Sequence, residues 1–319
     1  MIQKAVSAVD VSVASHDSKW SKGVSPDRPT AAIAARVLEG RLLAVWNALP
    51  LAAEESEDNV EYVHQLRIAT RRGVEALRVF STLIPDALYS GMRARLRRVR
   101  RAADGARNMD VLLACFFAGP AAASAAAAAL RAEVERRRQA AQQPIVAVSL
   151  ELSAEAFDRQ IEALVEEVRA QRGRKAKRPF GRQARRLLRP AVRKFFKAST
   201  ADLADVDSLH RLRLCLKKLR YTMEIVAVAF EQGFRKKLYP RIKLLQGVMG
   251  TVNDHAMAAG LFGQWAAAAQ DPWRQAFLEG FLAAEAKAHR DLREAFQAMC
   301  TPKTLGKLRR QFRMYCGVP

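Results

Sequence analysis

Glycine and proline are scarce in this chain, with 16 Gly and 12 Pro among 319 residues, so turn-rich β architectures have little to build with. Cysteine is scarcer still. Cys115, Cys215, Cys300 and Cys316 lie far apart with no C-x-x-C spacing, and read as reduced thiols of an intracellular protein, the first two as small core residues. Aromatics make up only 7%, too few to line the stacking platforms of a single-strand nucleic-acid binder. The N-terminus has no apolar signal-peptide run. The one candidate span, residues 112–130, is mostly alanine and is interrupted by Gly119-Pro120. That excludes a transmembrane helix, so no membrane partner is expected. Also missing are a Gly-rich phosphate loop, G-x-S-x-G, H-E-x-x-H and any zinc or helix-turn-helix pattern.

What the chain has in excess is positive charge. It carries 54 Lys and Arg against 32 Asp and Glu, a net charge of +22 with a pI near 10.6. Self-repulsion on that scale destabilises a compact state, so the charge points to a polyanionic partner. Nucleic acid, acidic membrane and inorganic polyphosphate all qualify on charge alone. Half the residues are hydrophobic, enough for a sizeable core, and alanine, leucine and arginine dominate. The expected fold class is all-α.

Two segments organise the chain: residues 64–80, opening His64-Gln65-Leu66-Arg67, and residues 210–226, opening His210-Arg211-Leu212-Arg213. They match at a constant offset of 146, computed from 210 minus 64. The offset carries Arg67 onto Arg213, Arg71 onto Lys217 and Arg72 onto Lys218. Without a gap it also carries Arg97 onto Lys243, Arg107 onto Asn253 and Asn108 onto Asp254. This is the signature of an internally duplicated helical unit. On a helical wheel of about 100° per residue, His64, Arg67, Arg71 and Arg78 share one sector, opposite Leu66, Thr70, Gly73, Leu77 and Phe80. His210, Arg213, Lys217, Arg220 and Tyr221 share the matching sector of the second copy, opposite Leu212, Leu216, Leu219, Met223 and Val226.

In chain order, residues 1–24 read as a disordered tail, 25–172 as a first helical-bundle half and 173–316 as a second. The first half holds helices over 25–51, 59–83 and 86–103, then a turn at 104–110 that opens a further helix. An alanine-rich helix to 141, a loop over 143–152 and a helix over 153–172 follow. Residues 172–197 carry twelve basic side chains and no acidic one, with the junction of the halves at 173–179. Helices over 206–231, 234–249, 252–270 and 272–299 complete the second half, with Gly233 as a helix cap and a short basic helix after Pro302.

These residues resemble the CHAD (conserved histidine α-helical domain) family. Val63-His64-Gln65-Leu66-Arg67 with Arg71-Arg72 and Leu77-Arg78-Val79-Phe80 is similar to its opening motif. Leu209-His210-Arg211-Leu212-Arg213 with Lys217-Lys218-Leu219-Arg220-Tyr221 and Glu224 is similar to the second-half counterpart. Gly105–Val111 and Leu245–Asp254 resemble the turn motifs that follow, so the likeness covers roughly residues 27–300. The chain departs from the pattern at Asn108, where aspartate is usual, and at Val74, where a basic residue is common. No triphosphate-tunnel module accompanies these motifs, and the domain is expected to stand alone. The resemblance implies two helical bundles about a pseudo-twofold axis with a basic cleft at their junction. It also implies inorganic polyphosphate as partner, association with polyphosphate granules, no cofactor and no catalytic reaction.

The expected binding residues are His64, Arg67, Arg71, Arg72, Arg78, Arg97 and Arg101 from the first half, and His210, Arg213, Lys217, Lys218, Arg220, Tyr221 and Lys243 from the second. Polyphosphate has no bases to read, so a receptor needs dense, well-held cations. Arginine donates two hydrogen bonds to one phosphate, and lysine acts as a point charge. A zinc site on His64 and His210 would be opposed by the surrounding cations. A phosphohydrolase would need carboxylates, and Asp110, Asp254, Glu75 and Glu224 read better as groups that cap turns or orient arginines. Weak nucleic-acid binding through the same basic surface is the alternative function. The sequence carries no signal of oligomeric state.

Overall fold

A computed structural model describes residues 20, 24–55, 59–117, 125–203, 205–270 and 272–318. Among them there is no strand, only a single bridge between Pro29 and Pro179. Twelve α-helices account for nearly all the rest: α1 Thr30–Glu54, α2 Glu61–Val79, α3 Asp86–Phe116, α4 Ala125–Ala140, α5 Gln143–Ala154 and α6 Phe157–Ala170. After them come α7 Arg174–Lys177, α8 Phe180–Ser199, α9 Val206–Val226, α10 Tyr239–Ala267, α11 Pro272–Met299 and α12 Pro302–Cys316. A π-helical turn, Phe234–Leu238, leads directly into α10. No helix among the described residues is long and apolar enough to cross a membrane.

Local chemistry sets the helix starts. Asn59 Oδ1 accepts from the Glu61 amide at 2.9 Å ahead of α2, and the Asp205 carboxylate accepts from the Ser208 amide at 2.9 Å ahead of α9. At the other end of the chain, Gly317 closes α12 with φ 59°, a left-handed conformation that glycine takes without strain.

Several boundaries differ from the sequence reading. The turn expected at 104–110 is the middle of α3, and the break expected between 249 and 252 is the middle of α10. Gly105 and Gly250 lowered the local helix propensity by only about 1 kcal/mol each, which tertiary packing overrides. The loop expected over 143–152 is α5, whose buried Ile145, Val148 and Leu152 recur at helical spacing. Pro144 sits in the first turn of that helix, where its missing amide costs nothing. The helix expected to reach residue 231 ends at Val226. Gly233 therefore does not close α9: it stands ahead of the π-helical turn with a right-handed backbone, and a Cβ there would collide with the Tyr315 ring. The cysteine expectation is reversed, with Cys300 and Cys316 buried, Cys115 exposed and Cys215 half-buried. Most of the tail expected over 1–24 lies outside the described residues, but Trp20 and Val24 pack against the core.

Two apolar clusters fill the interior, and each draws on both parts of the chain. The larger runs from α1 through Phe80, Phe157, Phe180, Phe195 and Phe234 to Phe312. The smaller joins Met109, Leu112, Leu130 and Val134 to Phe262, Trp265 and Leu278, at the far ends of α3 and α10. The segment expected as the junction is tied back to the start of α1, where the Thr30 amide donates to the Arg178 carbonyl and the Phe180 amide to the Arg28 carbonyl, both at 2.9 Å.

Between the clusters, α2 packs against α9 and α3 against α10. The first contact is polar and interlocked. Glu75 of α2 accepts from the Thr222 hydroxyl of α9 at 2.6 Å. Glu224 of α9 accepts from Arg72 of α2 at 2.9 Å, from Arg220 at 2.6 Å and from the Tyr239 hydroxyl at 2.7 Å. Glu224 is 1% exposed. Removing its charge strands two half-buried guanidiniums, a loss that costs about 3 kcal/mol or more. We expect Glu224→Gln to lower the urea midpoint accordingly. Glu151→Gln, which loses an exposed pair with Arg98 at 3.3 Å, should stay within about 1 kcal/mol. Equal effects would show that the interlock does not hold α2 to α9.

A candidate anion-binding cleft

The side chains that α2, α3, α9 and α10 turn toward one another line a cleft of about 520 Å³. From α2 it receives His64, Arg67, Arg71 and Arg72; from α3, Arg107 and Asn108; from α9, Arg213, Lys217, Arg220 and Tyr221; from α10 and its first turn, Tyr239, Lys243, Gln246, Asn253 and Asp254. Eight of these side chains are cationic and one, Asp254, is a carboxylate. The register pairs 67/213, 71/217, 107/253 and 108/254 thus all reach the same cavity.

Two carboxylates behind the wall hold part of this charge. Glu224 fixes Arg72 and Arg220 as described, and Asp104 pairs with Arg67. Arg220 also stacks over Tyr221, its Cζ 4.3 Å from the ring centre. Other cations are less well served. The Nε atoms of Arg71 and Arg213 are buried without a hydrogen-bond partner among the described residues. Such donors inside a wall of like charge are what an incoming anion would satisfy.

The titration behaviour records the same crowding. Burial, followed by the repulsion of Arg213 and Arg71, pushes the Lys217 ammonium down to about 7. Burial, then Arg107, Arg71 and Arg67, pushes the His64 imidazole down to about 3, so it is neutral at physiological pH. Burial and the neighbouring guanidiniums of Arg71 and Arg107 lower Arg67 to about 9. Burial also lowers Arg213 and raises Asp254. Lys217, Arg67 and His64 thus hold their protons less tightly than in the open chain, as burial among like charges dictates.

The remaining expected site residues lie elsewhere. His210 is exposed near the start of α9 and does not line the cleft, so the two histidines are not brought together there. Arg78 continues the α2 stripe beyond the cavity, where it donates to Glu75 at 2.9 Å and to Thr222 at 3.1 Å. Lys218 is exposed. Arg97 is exposed on α3, and Arg101 lines a separate depression with Arg95 and Arg98, whose charges are met by Glu151 and Glu155. Because α3 is continuous, Arg97 lies about 80° from Arg107 around the helix, whereas Arg100 lies about 20° from it. Arg100 therefore shares the face of Arg107, and burial followed by the repulsion of Arg71 lowers its proton affinity. Reading 104–110 as a turn hid that phase relation. None of the basic side chains of 172–197 lines the cleft either; those of α8 from Arg182 to Lys197 face outward.

Glu75, Glu224 and Asp110 are occupied in orienting Arg78, Arg72 and Arg138. Among the described residues no group of three or more His, Cys, Asp or Glu side chains is arranged to hold a metal ion.

The profile of the CHAD domain matches residues 36–263, well over half the chain. The crystal structure of the CHAD domain from the plant Ricinus communis aligns with a TM-score of 0.65 at 19% identity, covering 93% of this chain and 96% of that one. PptA from Streptomyces chartreusis aligns with a TM-score of 0.59 at 20% identity, covering 84% of this chain and 99% of that one. At such identities the structural likeness speaks for the fold alone. No curated protein matches the chain. The extent of the profile match and the shared all-helical fold place this chain in the CHAD domain family.

Proposed function

We propose that the protein binds inorganic polyphosphate in the four-helix cleft, as a non-catalytic module, and through that binding associates with polyphosphate granules. The observation that carries the proposal is eight cations around one carboxylate, with buried donors of Arg71 and Arg213 left unmet. A chain of phosphates supplies repeated negative charge and acceptor oxygens at every unit, which is the complement of such a wall. Family membership supports the same ligand class. The aromatic side chains of the cleft favour it over nucleic acid. Tyr221 lies under Arg220 and the Tyr239 hydroxyl is bound to Glu224, so neither ring is offered to a base. The carboxylates that hydrolysis would need are held in ion pairs with arginine, apart from Asp254.

Long-chain polyphosphate is expected to displace DNA from the protein in moderate salt, and DNA that withstands a large excess would establish the nucleic-acid reading instead. Arg67→Glu combined with Arg213→Glu should weaken polyphosphate binding roughly a hundredfold or more, since each charged contact contributes about 1.5–3 kcal/mol. Helicity by circular dichroism should be unchanged. Arg309→Glu with Arg310→Glu, the same charge change on α12, should have a much smaller effect; equal losses would mean that only diffuse charge matters.

Proton linkage supplies an independent check. Folding lowers the Lys217 value from the ordinary 10.5 to about 7 and the His64 value from 6.5 to about 3. The folded state therefore binds fewer protons than the unfolded state inside those two windows. Stability without ligand should rise with pH from about 3 to 6.5 and again from about 7 to 10.5. A bound polyanion restores the Lys217 charge, so binding at pH 8 should take up a proton, up to about one per site. Calorimetry in buffers of different ionisation enthalpy measures this, and Lys217→Met should remove it. Uptake that survives Lys217→Met would place the linkage on another group.

A further inference from the structure

The cleft does not close at Lys243. Lys243 and Tyr239 also line a second depression of about 540 Å³, on the other side of the start of α10. Its remaining polar lining is Gln232, Arg235 and Lys236, with Trp20 as a wall and no carboxylate. Arg235 is held in place by an aromatic stack: its Cζ stands 5.3 Å from the centre of the Trp20 ring, and Trp20 meets Tyr239 edge-on with centroids 4.8 Å apart. The stack covers the face of the guanidinium plane. Its Nε is buried and has no hydrogen-bond partner among the described residues. Arg235 lies in the π-helical turn Phe234–Leu238 that runs straight into α10, and such turns recur at functional sites. Arg235, Tyr239 and Lys243 follow one another at four-residue steps, which puts the two cations on one side of a helical run roughly 12 Å apart.

Resting on the polyphosphate reading of the cleft, we infer that this depression is a second phosphate subsite, and that a long chain leaves the cleft over Lys243 and continues onto Arg235 and Lys236. The sequence gives no hint of it, because Trp20 falls in a segment that reads as tail and residues 232–238 read as a helix boundary. The consequence is a dependence on chain length. A ligand short enough to lie within the cleft gains nothing from Arg235 and Lys236, whereas a long chain neutralises both.

Titrations with sodium triphosphate and with long-chain polyphosphate, over a series of salt concentrations, test this. Arg235→Gln with Lys236→Gln should weaken long-chain binding roughly tenfold, as expected of two partly exposed charges. The log–log salt slope should shrink by roughly 1.4 for two fewer neutralised phosphates. Triphosphate binding should be unchanged. Lys236→Glu alone, at an exposed position that cannot unsettle the fold, should show the same selectivity for long chains. Equal weakening of both ligands, no change in either, or the same loss from Arg309→Gln with Arg310→Gln would overturn the subsite. If the unaltered protein binds neither ligand, it is the cleft reading that fails, and the subsite with it.

Discussion

The structure depends on a crossed pair of carboxylates between α2 and α9. Each helix sends a buried glutamate into the contact and receives a polar group from the other: Thr222 reaches Glu75, and Arg72 reaches Glu224. The crossing matters because the same two helices carry Arg67, Arg71, Arg213 and Lys217, whose charges repel across a half-buried space. Without the interlock the cheapest response to that repulsion would be to separate the helices and admit water. With it, the cations are held near one another in a less polar medium than they would choose. Apolar packing above and below, in two clusters that each span both parts of the chain, fixes the remaining edges.

That arrangement stores repulsion in the fold. Burial first, and then this repulsion, lowers the proton affinities of Lys217, Arg67 and His64, against the background of a net charge of +22. A site built this way is pre-organised: the work of gathering cations is done during folding, and an anion that enters meets donors already in place. It also separates two roles among like residues. Arg72 and Arg220 are bound to Glu224 and act as struts, whereas the Nε donors of Arg71 and Arg213 have no such partner among the described residues. Charge counting alone does not distinguish the struts from the receptors; hydrogen-bond bookkeeping does.

Much of the helical architecture was legible because its signal is periodic. Leu66, Leu77 and Phe80 and their counterparts Leu212, Met223 and Val226 are buried where the wheel places them, and the stripe opposite supplies most of the cleft wall from α2 and α9. What failed was punctuation. Gly105, Gly250 and Pro144 read as breaks, yet helix packing overrides about 1 kcal/mol of glycine propensity and proline is at home in a first turn. That single error propagated into the site. With α3 cut at residue 104, the register with Lys243 points to Arg97, and the shared face of Arg100 and Arg107 on one continuous helix stays hidden. His210 shows a different limit. It matches His64 in the sequence register, but register does not say which neighbours surround a side chain: His64 lines the cleft, whereas His210 is exposed near the start of α9.

The cleft is chiefly arginine, and this choice bears on how it responds to its surroundings. A guanidinium starts so far above neutrality that even the burial acting on Arg67 leaves it charged at pH 7. The affinity of an all-arginine wall would be nearly indifferent to pH. Lys217 breaks that indifference, because burial, and then the same neighbours, bring an ammonium to about 7, within the range where its charge responds to pH. His64, already neutral, can donate or accept a hydrogen bond without adding to the repulsion, which suits a residue placed between Arg67, Arg71 and Arg107. The three residue types thus differ on electrostatic grounds: arginine holds a constant charge, Lys217 a charge that responds to pH, and His64 a polar edge free of charge.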